Sequence, residues 1–356
     1  MRRSFAVLRG MTNQLGATVA AATTSLPERA EAGRNYDYRY TWVRDTCYIG
    51  HAGAAVPGGE EVLDDAVHWV RDRILDDGPD TMPAYQANGG PIPDQQSLGL
   101  SGYPGSSDVI GNRVRDQFQL DIFGEALLLF ANAASLDRFD SDGWRAAELA
   151  IETIGKRQAD KDAGIWELRP NQWTHSRLIC VAGLRAISEA GAPAQLKSTA
   201  RLLADQLISD TARSSLHPSG RWQRAPGDER IDASLLLAEI RGALAPDDPR
   251  SIATREGVMS ELCEDDYLYR YPHAGRRLAD VEGAFLVCNF WMSLAKLKAG
   301  DVAAGVQWFE RTRASCAASG LFSEEFDVAQ RQLRGNIPQA FVHALLIECA
   351  AVIADA

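Results

Sequence analysis

The chain has 356 residues, and its 37 Lys and Arg against 48 Asp and Glu give a net charge of −11. At 46% hydrophobic residues it can bury a sizeable core, in one large domain or two ordinary ones. The acidic balance leaves no surplus cation for nucleic-acid phosphates or an anionic membrane surface, and no apolar run approaches the roughly 20 residues of a membrane span.

The start, Met1-Arg2-Arg3, mimics the basic end of a secretion signal, but Arg9, Asn13 and Gln14 interrupt the apolar stretch such a signal needs. The periodicity is helical almost everywhere. Leu63, Val67, Val70 and Ile74 mark one helix face, Leu196, Ala200, Leu203 and Leu207 another, and Phe341, Leu345, Cys349 and Val352 a third. In chain order the predicted helices are 5–22, 43–56, 59–77, 113–134, 141–158, 171–190, 194–210, 229–241, 250–263, 281–299, 302–317 and 338–354. Gly191 and Pro193 separate two of them, Asp301 is placed to cap the helix opening at Val302, and Pro338 is expected in a first turn. Alternating strand patterns are scarce, so the fold class is all-α.

The connections alternate in length, long after each odd-numbered helix and short after each even-numbered one. Six helical hairpins closed into a ring would gather the long connections at one end. That is an (α/α)6 barrel, with function expected in those loops. An α-solenoid would show a sequence repeat of roughly 34–47 residues, and none is found.

Several candidate motifs reduce to structure. Asp76-Asp77-Gly78-Pro79-Asp80 has the letters of a Mg²⁺-diphosphate motif, but Gly78-Pro79 breaks the helix that must stack its carboxylates, so it reads as a helix end. His68 reads as structural, and His175 and His343 sit early in helices without a second histidine at ligand spacing. Cys47, Cys180, Cys263, Cys288, Cys316 and Cys349 are dispersed, as expected of reduced thiols in a cytoplasmic protein, and no metal site or cofactor is expected.

The loop carboxylates differ. Ala163-Gly164-Ile165-Trp166-Glu167 sets a glutamate beside a tryptophan, and Gly320-Leu321-Phe322-Ser323-Glu324-Glu325 sets a pair between apolar residues. A carboxyl packed on apolar surface has a raised pKa and can act as an acid, while a second carboxylate activates water. Glycoside hydrolysis needs that pair across a cavity. Tyr38, Tyr40 and Trp42 offer stacking surfaces for a sugar ring, and Arg44 and Asp45 offer hydrogen bonds to its hydroxyls.

At these residues the chain resembles glycoside hydrolase family 15, the family of glucoamylases, glucodextranases and some trehalases. The resemblance opens with Ala21-Ala22-Thr23-Thr24-Ser25-Leu26-Pro27-Glu28 and Arg34-Asn35-Tyr36-Asp37-Tyr38-Arg39-Tyr40-Thr41-Trp42-Val43-Arg44-Asp45. It continues through Ile110-Gly111-Asn112, Gln117-Phe118-Gln119-Leu120-Asp121, Gly164-Ile165-Trp166-Glu167 and Arg270-Tyr271. Glu282-Gly283-Ala284-Phe285, Ser323-Glu324-Glu325 and Gly335-Asn336-Ile337-Pro338-Gln339-Ala340-Phe341 close it.

The resemblance implies an (α/α)6 barrel with Glu167 as general acid and Glu324 as general base. It implies substrate contacts from Tyr38, Trp42, Arg44, Asp45, Trp166, Arg270, Glu282 and Glu325. The implied reaction is exo-acting hydrolysis with inversion, releasing β-glucose from the non-reducing end of an α-glucoside. The signature begins almost at Met1, so residues 1–356 are expected to be one catalytic domain without the N-terminal β-sandwich of bacterial relatives. Small oligosaccharides are then the expected partners, α-1,6-linked (isomaltose-type) ones first, with trehalose and maltooligosaccharides following. Val342 replaces a serine that supports the base in some members. A non-catalytic carbohydrate-binding or scaffold barrel would have no need to retain both Glu167 and Glu324.

Overall fold

The structure, a computed structural model, describes residues 1–29, 34–104, 106–273 and 275–356. Twelve helices carry the chain among these residues: α1 Arg2–Met11, α2 Val43–Ala54, α3 Glu60–Asp77, α4 Asp121–Ser135, α5 Ser141–Arg157 and α6 Thr174–Glu189. The second half holds α7 Ala194–Ser215, α8 Leu237–Ile240, α9 Pro249–Leu262, α10 Leu286–Lys298, α11 Val302–Ala314 and α12 Ala340–Asp355.

The even-numbered helices form the inner ring. Contacts run from α2 to α4, α6, α8, α10 and α12, and α12 returns to α2 to close it. These helices are apolar on nearly every face because both faces are covered: α4 buries every residue from Asp121 to Ala131, and α10 every residue from Leu286 to Ala295. The odd-numbered helices pack outside, and α1 lies against α12, joining the two ends of the chain. The fold is the (α/α)6 barrel the loop rhythm predicts.

Ring closure needs close helix approaches. At Gly124 and Gly183, where α4 meets α6, a Cβ on Gly183 would lie 2.3 Å from the Gly124 carbonyl oxygen. Only hydrogen fits between these two backbones.

Four predicted helices are cut short, each by a nameable competitor. Helix 5–22 ends at Met11, because the Asn13 side chain accepts from the N–H groups of Leu15 and Ala17 and Gly16 takes φ +79°. The alanine-rich run that follows is extended instead: Ala20 and Ala21 donate to the carbonyls of Tyr40 and Tyr38 at 2.8 Å. Tertiary pairing overrides alanine's helix preference. Helix 113–134 begins only at Asp121, after a 3₁₀ turn Arg113–Asp116 capped by Asn112. Helix 229–241 is the 3₁₀ turn Ala233–Leu236, capped by Asp232, followed by the four residues of α8. Helix 281–299 starts at Leu286, and Pro338 lies ahead of α12 rather than in its first turn. Asp301 caps α11 as predicted, accepting from Ala304 N–H at 3.3 Å.

Among the described residues seven short strands, absent from the prediction, tie the long connections together: β1 Thr41–Trp42, β2 Ala84–Tyr85, β3 Cys263–Glu264, β4 Tyr267–Leu268, β5 Ala284–Phe285, β6 Glu325–Asp327 and β7 Gln332–Arg334. β1 pairs with β2, setting Trp42 opposite Ala84. β5, β6 and β7 form an antiparallel sheet with Phe285 opposite Glu325. This sheet joins the connections before α10 and α12, and the Glu324 carbonyl accepts from Leu286 N–H at 3.0 Å.

Candidate active site

The long connections all lead into the N-terminal ends of inner helices, and there they enclose a cavity of about 420 Å³. Tyr38, Trp42, Arg44, Asp45, Trp166, Glu167, Arg270 and Glu324 line it, brought together from four connections and the first turn of α2.

Glu167 sits at the end of a tight turn. Its N–H donates to the Gly164 carbonyl at 3.1 Å, and both residues are left-handed, Gly164 at φ +65° and Glu167 at φ +55°. Left-handed backbone at a glutamate is disfavoured by about 1–2 kcal/mol, so the surroundings must hold it. Asp162 does so from beneath. Its carboxylate accepts from Gly164 N–H and from the Ser176 hydroxyl, each at 2.8 Å, and pairs with Arg177. The Glu167 carboxylate accepts from Trp42 Nε1 at 2.8 Å and lies 3.8 Å from Arg44. Burial raises its pKa, with the Arg44 charge and the Trp42 hydrogen bond opposing.

Glu324 enters from the sixth connection, just before β6, and accepts from the Tyr38 hydroxyl at 3.1 Å. Burial raises its pKa well above the usual carboxylate range. Glu28 and Glu325 add to the rise, while Arg270 and the Tyr38 hydrogen bond oppose it. Tyr38 and Trp42 meet edge to face, centroids 5.7 Å apart. The two carboxyls are therefore linked through one aromatic pair, Glu324 held by Tyr38 and Glu167 by Trp42.

The remaining lining residues are fixed by partners behind the wall. Arg44 donates to Gln119 at 2.6 Å and to Asp121 at 3.2 Å. Asp45, in the first turn of α2, is pushed up to about 6 by burial, against the opposing charge of Arg44. Trp166 donates to Asp232 at 2.8 Å and packs on Phe285. Arg270 donates from Nε to Glu282 at 2.8 Å.

Two expected substrate contacts lie elsewhere. Glu282 and Glu325 are fully buried and do not line the cavity. Glu282 holds Arg270, and Glu325 accepts from Gly283 N–H at 2.8 Å and from Arg34 at 3.3 Å. They belong to the support of the wall. His175 is buried behind it with both ring nitrogens unpartnered, His343 bonds Ser4 and Phe322 N–H, and His68 is exposed on α3.

Sequence reasoning assigned no role to Glu28, Arg34, Tyr36, Asn112, Arg113, Gln117, Gln339 or Phe341, all of which line the cavity. Their positions within the quoted motifs or beside them were the available signal. Nothing in their spacing showed that 28–45 and 324–341 would meet.

An (α/α)6 barrel with two carboxyls facing one cavity is the class of protein these observations define. Among solved structures the fold is similar to a wild-type glycosidase, with a TM-score of 0.77 at 18% identity, covering 99% of this chain and 95% of that one. It is also similar to a bacterial glucoamylase complexed with acarbose, with a TM-score of 0.76 at 17% identity, covering 99% of this chain and 55% of that one. The model of the glycosyl hydrolases family 15 matches residues 3–351, and the chain belongs to that family.

Its curated relatives include the trehalase of Mycolicibacterium smegmatis, 32% identical over 363 residues, which are 98% of this chain and 54% of that one. The trehalase of Thermoplasma acidophilum is 31% identical over 357 residues, which are 96% of this chain and 60% of that one. The chain thus spans little more than half the length of these relatives.

Proposed function

We propose that residues 1–356 form a single catalytic domain that hydrolyses small α-glucosides with inversion, cutting at the non-reducing end. The observation that carries this reading is the pair Glu167 and Glu324, set in one cavity and each held by one member of the Tyr38–Trp42 pair. In this reading Glu167 protonates the glycosidic oxygen, and burial keeps its proton available at higher pH than an ordinary carboxyl. Glu324 takes a proton from a water that attacks the opposite face of the sugar, which calls for a carboxyl separation of about 6.5–9.5 Å. Arg44 and Asp45 bind hydroxyls of the terminal glucose, with Arg44 already aligned by Gln119 and Asp121. Tyr38, Trp42 and Trp166 wall the ring, and Arg270 is kept in place by Glu282.

A cavity of about 420 Å³ suits a small ligand. The relatives named for a substrate are trehalases, so α,α-trehalose takes precedence over the α-1,6-linked glucosides favoured from sequence. Six unpaired cysteines agree with a reducing, cytoplasmic setting. No helix among the described residues is long and apolar enough to cross a membrane.

The test is glucose release from trehalose, isomaltose, maltose and starch by the wild type, Glu167→Gln and Glu324→Gln. Release should be greatest from trehalose. Each variant should lose about 10²–10⁴-fold in kcat while Tm stays within a few degrees. Full activity in either variant overturns the assignment.

A further inference from the structure

Tyr38 has one hydroxyl proton and two carboxylate neighbours. Its oxygen lies 3.1 Å from Glu324 Oε2 and 3.4 Å from Glu28 Oε1. A phenol donates one hydrogen bond, so two ionised carboxylates would compete for it. The phenol proton goes to Glu324 at the shorter distance, and Glu28 is held instead by Arg34 at 2.8 Å.

The charges around this triad decide how readily Glu324 ionises. Glu28, Glu282, Glu324 and Glu325 face two guanidiniums, Arg34 and Arg270, among the described residues. Arg270 is taken by Glu282, and Arg34 is divided between Glu28 at 2.8 Å and Glu325 at 3.3 Å. Tyr36 stacks on Tyr38 with centroids 5.9 Å apart and supplies no charge. All four carboxyls are buried, so four negative charges against two guanidiniums, with the His273 imidazole 3.7 Å from Glu282 beside them, are strongly opposed. Glu28 is the largest charged contributor to the raised pKa of Glu324 after burial itself.

We propose that Glu28 is a positioning residue for Glu324: paired with Arg34 and competing with Glu324 for the single Tyr38 hydroxyl proton, it sets the pH at which the base becomes ionised.

The inference rests on the reading of Glu324 as general base, and its test is the pH profile of kcat/KM, whose acid limb reports that base. Glu28→Gln keeps an N–H donor for the phenol and removes the competing acid. Its acid limb should move down by about one pH unit, with kcat at the optimum within about tenfold of wild type. Tyr38→Phe removes the hydrogen bond that favours ionised Glu324, so its limb should move up. Should Glu28→Gln not fold, Glu28→Asp, with its oxygens drawn back from Tyr38, should shift the limb downward by less. A limb unmoved in the folded Glu28 variants, or moved the same way by Tyr38→Phe, overturns the inference. An active Glu324→Gln would instead overturn the reading of the base. An inactive Glu324→Gln beside an unmoved Glu28→Gln profile overturns the Glu28 inference alone.

Discussion

The chemistry of the cavity rests on what a few side chains do to two carboxyls. Trp42 donates to Glu167 in a bond that favours the ionised form, so its removal should raise the pKa of the acid. Trp42→Phe should therefore move the alkaline limb of kcat/KM upward and leave the acid limb in place. An alkaline limb that stays put would show that Trp42 acts on the acid only as a wall. Glu167, Glu324, Tyr38, Trp42, Arg44, Asp45, Trp166 and Arg270 were all legible in the sequence as members of ordered motifs, and all line one cavity. Glu282 and Glu325 were legible as residues of the site but not in their position. Adjacency in sequence does not say which of two neighbouring glutamates faces the cavity. The pairing of β6 settles this: Glu325, its first residue, lies opposite Phe285 and bonds Arg34, while Glu324, one residue before the strand, lines the cavity.

Among the elements, the inner helices were legible because burial on all sides leaves long apolar segments, and the outer helices because their apolar positions recur at helical spacing. The missed features are ones in which distant segments pair. Ala20 and Ala21 are extended because Tyr40 and Tyr38 accept their hydrogen bonds, and the two- and three-residue strands are too short to leave an alternating pattern. The contact of α4 with α6 carries a prediction of its own. Gly183→Ala sets a methyl against the Gly124 carbonyl, and a clash with backbone should cost about 3 kcal/mol, at the upper end for overpacking. Thermal unfolding should show a Tm lower by several degrees, while KM of the folded fraction stays near that of wild type. An unchanged Tm would mean that the two helices separate freely.

At the scale of the whole molecule, buried ionisable groups link stability to pH. Burial pushes Glu325 up to about 8 and Glu239 up to about 7. Such groups stabilise the fold fully below the unfolded value of 4.5, and their contribution is lost as pH rises through the folded values. His343 is pushed down to about 4 by burial, and Glu282 is held at about 2, burial being outweighed by Arg270 and His273. Their contributions are present above 6.5 and 4.5 respectively and are lost as pH falls through the folded values. Summed over these four groups, calorimetry should find the highest Tm at about pH 4.5, falling toward about pH 8 as Glu325 and Glu239 ionise and toward about pH 2 as His343 and Glu282 take up protons. A Tm that rises steadily to pH 8 would contradict these assignments.

The central claim is single displacement between Glu167 and Glu324, and the anomers of fresh product test it most directly. Both anomeric carbons of α,α-trehalose are α. Inversion at one carbon with release of the other unchanged gives equal β- and α-glucose before mutarotation. Proton NMR within the first minutes of hydrolysis should show the two anomers in equal amounts. Initial release of α-glucose alone would mean retention, and would contradict the proposed roles of both carboxyls.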